Sequence, residues 1–174
     1  MEFAETLAQA FPLMRGGGAF LVGIGLGILI GAFARTRKWR LIWFTIGVWA
    51  GIIAMAVGGV TKVIFAGLPM PAVWQWVVLG LAFVIEAGLV FLVIRLVKDV
   101  DSRQFWLWIL FIVGAHFLIL GFSHGPVCAA LAVLCMLNAV IGLRTPKLDL
   151  RVFWGIDGAL KVIGGALMIV LSYV

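Results

Sequence analysis

Six side chains in this sequence have the chemistry to move protons or bind ions, and most of them sit where water should be scarce. Asp157 and Lys161 lie four residues apart in "FWGIDGALKVIGGALMIV". That spacing places them on one face of a helix, close enough to pair. Glu86 interrupts the apolar run "VWQWVVLGLAFVIEAGLVFLVI", and His116 interrupts "FWLWILFIVGAHFLILGF". His124 stands in the turn "FSHGP", and Asn138 falls late in the run that follows it. Carboxylate, amine and imidazole are the groups of a proton or ion relay. The same residues can also form buried ion pairs that only fix helix register.

No metal ligand set is expected, because two histidines on one segment lack a second helix bearing soft ligands. No cofactor motif is present. Cys128 and Cys135 are seven residues apart on one expected helix, about 10 Å between Cα atoms. That is beyond disulfide reach. They form no CxxC or zinc spacing, and they are expected to be buried apolar cysteines.

The elements that hold these groups follow from composition. The chain has 174 residues, 65% hydrophobic and 11% charged, too few charges to cover a soluble domain. The expected class is all-α, a polytopic membrane protein. Hydropathy places six spans at about 17–34, 41–66, 72–94, 104–122, 126–143 and 152–173, arranged as three hairpins. Residues 1–16 carry Glu2 and Glu5 and no basic n-region. They are expected to form an amphipathic arm at the outer surface rather than a signal peptide. Gly16, Gly17 and Gly18 are expected to hinge that arm to the bundle of residues 17–174.

Charge sets the orientation. Ten basic residues occupy alternate loops: Arg35, Arg37, Lys38 and Arg40, then Arg95, Lys98 and Arg103, then Arg144, Lys147 and Arg151. The intervening loops "GLPMP" and "FSHGP" have none. By the positive-inside rule the basic loops are cytoplasmic and both termini lie outside. The expected location is the plasma membrane, of bacterial inner-membrane type. Trp39, Trp43, Trp106, Trp108 and Trp154 then mark the inner boundary as an aromatic belt. The net charge of +6 is explained by topology, and no basic strip suited to nucleic acid is present. The three basic loops share an R-x-x-K pattern, at 35, 95 and 144, which raises an internal hairpin repeat as one reading and convergent loop chemistry as the other.

At a rise of 1.5 Å per residue, Asn138 and Asp157 are expected roughly 9 Å from the inner boundary, Glu86 and Lys161 roughly 15 Å, and His116 roughly 20 Å. Lys62, at roughly 33 Å, can reach outer water. Each charge near mid-depth costs about 3 kcal/mol on the insertion scale. Glu86, Asp157 and Lys161 are therefore expected to face inward and meet as a cluster, with Asn138 near and His116 and His124 extending it outward. Gly23, Gly27 and Gly31 form a GxxxGxxxG stripe, and Gly47, Gly51, Met55 and Gly58 form another. Such faces bring helices close, within one chain or in a homo-oligomer.

The block from "AHFLILGFSHGP" through "CMLNAVIGLRTP", with His116, Phe117, His124, Gly125, Pro126 and Asn138, resembles a family of small uncharacterised bacterial six-helix membrane proteins. That resemblance implies no activity. Two functions are expected from the residues: a proton-coupled transporter or channel built on Glu86, Lys161 and Asp157, or an accessory membrane subunit in which the charges are purely structural. An enzyme is the weaker expectation, since HExxH, GxSxG and nucleotide-binding loops are all missing. Ser123 beside His124 is not expected to act as a nucleophile–base pair, because adjacent residues in a turn seldom present one in the required orientation. Beyond the lipid bilayer, no partner protein is indicated.

Overall fold

The computed structural model describes residues 2–56 and 62–173, apart from the side chain of Met55. These residues form an all-α protein with seven described helices: α1 (Glu2–Ala10), α2 (Leu13–Ala32), α3 (Arg37–Ala56), α4 (Val73–Leu96), α5 (Arg103–His124), α6 (Pro126–Arg144) and α7 (Leu150–Leu171). Five of them, α2 and α4 to α7, are long and apolar enough to cross a membrane. The expected span at 41–66 begins in α3 and runs into residues 57–61, outside the described residues. Gly58 lies there too.

Helix boundaries follow local chemistry. Ser102 caps α5 by accepting a hydrogen bond from the Phe105 amide at 3.1 Å, and Asp149 caps α7 through the Arg151 amide at 2.8 Å. Both side chains satisfy amides that have no partner within the helix. Gly125 ends α5 with φ +90°, a conformation open to glycine and costly for other residues. Pro126 then starts α6 at a position where its missing N–H costs nothing.

The N-terminal arm is shorter than expected. α1 is amphipathic, with Ala4, Leu7 and Ala8 buried, but the next helix already starts at Leu13 and runs straight through Gly16, Gly17 and Gly18. Those glycines are no hinge. They allow close approach, because a Cβ on Gly18 would come within 2.6 Å of the Gly165 carbonyl oxygen of α7.

Packing follows an open arc, α3 on α2, α2 on α7, α7 on α6, α6 on α5 and α5 on α4. Glycine makes the first two steps possible. Gly23 and Gly27 of α2 meet Gly47 and Gly51 of α3, and Gly18 and Gly25 meet Gly165 and Gly158 of α7, backbone against backbone. Gly31 faces Arg40 and Trp154. The stripe Gly23–Gly27 is thus engaged inside this chain. The consecutive pairs α2–α3, α4–α5 and α6–α7 each pack on one another, and the first and last long helices share the most intimate seam. Among the described residues α3 and α4 are the ends of the arc, each packed chiefly on a single neighbour.

Side-chain bonds gather the loops at opposite ends of the arc. At one end Arg37 pairs with Asp101 at 2.7 Å, and Arg103 donates to the carbonyls of Gly142 (2.7 Å) and Thr145 (2.9 Å), capping α6. All three basic loops meet there. At the other end the buried Arg15 holds Ser172 at the end of α7 through Nε at 3.0 Å and through the Ser172 carbonyl. Its Nη1 donates to the Ala66 carbonyl at 2.8 Å, and its guanidinium lies 3.8 Å from the centroid of the Tyr173 ring. Gln75 ties α4 to the Ala10 carbonyl at the same end, at 3.1 Å.

Candidate functional site

The structure divides the expected charge cluster in two. Asp157 and Lys161 pair directly on α7 and both are 0% exposed. Lys161 Nζ is also 3.9 Å from Cys135 Sγ and 5.4 Å from the centroid of the Phe117 ring. Asn138 is buried nearby, but it donates to the Phe153 carbonyl at 2.8 Å and pins α6 to α7.

Glu86 does not join them. Its Oε2 lies 3.7 Å from His116 Nδ1, within ion-pair range and too long for a hydrogen bond, and its side chain is 21% exposed. His116 itself is buried between Phe117, with ring centroids 4.4 Å apart, and Phe83 at 6.1 Å. The three-membered contact expected from matched depth therefore fails for a directional reason. The Glu86 face of α4 meets α5, and Phe117 stands between α5 and Lys161.

His124 is buried two helical turns further along α5. Its Nδ1 is 2.8 Å from Ser123 Oγ, and that hydroxyl already donates to the Leu120 carbonyl at 3.1 Å. Nδ1 is accordingly the donor of the pair, and Nε2 is left as an acceptor. Nε2 is turned toward Gly17, where any Cβ would overlap the imidazole.

Glu86, His116 and His124 share one cavity of about 470 Å³. Its walls come from Gly17, Phe20 and Ile24 of α2, Phe44, Val48 and Ile52 of α3, Leu79 and Phe83 of α4, Val113, Phe117 and Leu120 of α5, Cys128 of α6 and Met168 of α7. Asp157, Lys161 and Asn138 are not in the wall. The cavity occupies the mouth of the arc. Ile52 and Phe83, on the two ends of the arc, line it and are 38% and 48% exposed. They form its rim on α3 and α4. The volume lies within the range of small-molecule sites, about 300–1,000 Å³, and an apolar wall with few convergent polar groups is typical of them.

Two features of this site are out of reach of sequence reasoning. Gly17, expected in a hinge, instead makes room for His124. Ser123, not expected to pair with its neighbour, stands within hydrogen-bond distance of the His124 imidazole and sets its tautomer. A glycine one turn into an apolar helix is the one signal that points to the first. Among the described residues no group of three or more His, Cys, Asp or Glu is placed to hold a metal ion. Cys128 and Cys135 are buried and free.

Residues 5–173 match a family of unknown function, DUF6609. The chain belongs to that family. No curated protein and no solved structure matches it. Membership agrees with the resemblance carried by His116, His124 and Asn138 in one respect, that the family has no assigned activity.

Proposed function

We propose that this membrane protein is a small transporter that uses Glu86, His116 and His124 to carry protons along the cavity. The single observation behind this reading is that these three place a carboxylate and two imidazoles in an otherwise apolar wall. His116 and His124 are eight residues apart on one helix, about 12 Å, a distance that water or a bound molecule would bridge. An ionised carboxylate in such a wall needs a proton or a counter-charge, so Glu86 is the group whose state should change as the site works. Asp157, Lys161 and Asn138 are assigned to structure.

The orientation belongs to the same proposal. Six spans, with α3 in the second, put the end holding Arg15, Ser172 and His124 outside and the three basic loops in the cytoplasm of the cell whose plasma membrane holds the protein. Support comes from the bonds that gather those loops at one end of the arc. The cavity then lies in the outer half.

The test is proton flux in liposomes under an imposed pH gradient. The expected result is flux above protein-free liposomes that Glu86→Gln abolishes. Equal flux in both, or none in the unaltered protein, would sink the reading.

An accessory role is the second reading, favoured by α4. That helix packs chiefly on α5, and a Cβ added at Gly80 or Gly88 would meet nothing within 4 Å. A partner helix, from another chain or a second copy, would lie against it. Homo-oligomerisation through Gly23 and Gly27 is unattractive because α3 covers them.

A further inference from the structure

We infer that the molecule taken up by this cavity is a lipophilic cation, an amine or quaternary ammonium on an apolar body, entering sideways from the bilayer between α3 and α4. The inference rests on the proposed transport reading and adds the substrate class to it.

The wall supplies one acid and four phenylalanine rings. Glu86 is the acid, and Phe20, Phe44, Phe83 and Phe117 come one each from α2, α3, α4 and α5. A cation leaving water must recover its lost hydration. A desolvated carboxylate does this by charge, and ring faces do it through their quadrupoles. Lys161 already uses Phe117 in that way from behind, at 5.4 Å. An anionic ligand would confront Glu86. A neutral one would leave Glu86 protonated and gain nothing from its charge, whereas a cation draws the carboxylate into an ion pair.

The other charges around Glu86 do not oppose the assignment. His116 on α5 is its nearest titratable neighbour, and His124 lies further along the same wall. On α7, the Lys161 charge that bears on Glu86 is offset at short range by its pair with Asp157, and Arg151 lies at the basic-loop end of the helix. The residues that α2 and α3 contribute to the wall carry none.

Proton and cation compete for the same carboxylate. Glu86–COOH plus cation gives the Glu86 carboxylate–cation pair plus one proton, which leaves past His116 and His124. The sideways route is argued from Ile52 and Phe83, which line the cavity on the two ends of the arc and stay 38% and 48% exposed.

The test is calorimetric titration of the purified full chain in a non-ionic detergent with three probes: benzyltriethylammonium, 4-phenylbutanol and 4-phenylbutyrate. Buffers of two ionisation enthalpies report proton release. The expected result is binding of the cation alone, with about one proton released per cation bound. Glu86→Gln should weaken binding roughly 30-fold or more, as loss of one partner in a desolvated charge pair does. Ile52→Trp, at the rim and away from the acid, should slow or weaken binding while the fold persists. The inference is overturned if the cation does not bind, if it binds equally to Glu86→Gln, or if 4-phenylbutanol binds as well. Glu86-dependent binding of the alcohol or the acid alone would overturn the substrate class and leave the transport reading standing. Absence of binding by all three, together with absence of proton flux in liposomes, would end both.

Discussion

Asp157 and Lys161 have the same kinds of side chain as the proposed working residues, yet the surroundings give them a different role. Both are wholly buried and touch each other. Removing one partner leaves an uncompensated charge in the interior, at a cost of about 3–5 kcal/mol, whereas replacing both with apolar side chains is often close to neutral. Asp157→Ala should therefore sharply lower the unfolding midpoint in detergent, and Asp157→Leu with Lys161→Met should restore most of it. Equal loss in the single and double variants would show that the pair does more than pin the fold. Spacing alone makes the Asp157–Lys161 contact readable, because i and i+4 share a helix face. The partner of Glu86 is not readable, since depth is encoded by position along a helix but azimuth between helices depends on packing. His116 wins because α4 packs on α5 rather than on α7.

Along the helices, glycine is informative only through its neighbours. Gly18 and Gly158 sit where a Cβ would press on backbone atoms of the opposing helix, at 2.6 and 2.7 Å. Gly80 and Gly88 sit in open space. Gly158→Ala should cost about 1–3 kcal/mol through overpacking. Gly88→Ala should be neutral or slightly stabilising, by up to about 1 kcal/mol, through helix propensity. Thermal midpoints of the two variants in one detergent check this; a loss at Gly88 comparable to that at Gly158 would instead reveal a partner on α4. The GxxxG stripe of Gly23 and Gly27 is visible in the sequence, but its partner is not. The second seam is hidden as well, because Gly18 and Gly25 are seven apart and their counterparts Gly158 and Gly165 lie at the far end of the chain. The arm misleads for a similar reason. Arg15 looks like the edge of a span, yet it is buried because Ser172 and the carbonyls of residues 64 and 66 receive its donors.

Across the bundle, the helical class and the approximate spans are legible because hydrocarbon thickness imposes a length on each apolar run. The open arc is not, since nothing in local hydropathy says that the first and last long helices share a seam or that α3 and α4 end up apart. Sidedness is testable without touching the site. Met70 is 89% exposed, and Lys147 stands in the third basic loop. A membrane-impermeant maleimide applied to intact cells should label Met70→Cys and should reach Lys147→Cys only after permeabilisation. The native Cys128 and Cys135 are buried and add no background. The reverse pattern would invert the orientation and place the cavity in the inner half.

On this reading the buried charges divide into a pin on α7 and a working site between α4 and α5. Proton flux measured side by side in liposomes for Glu86→Gln and for the double variant Asp157→Leu with Lys161→Met puts that division to the sharpest test. The expected result is flux retained by the double variant and lost in Glu86→Gln. Flux lost from a folded double variant, or kept by Glu86→Gln, would contradict it.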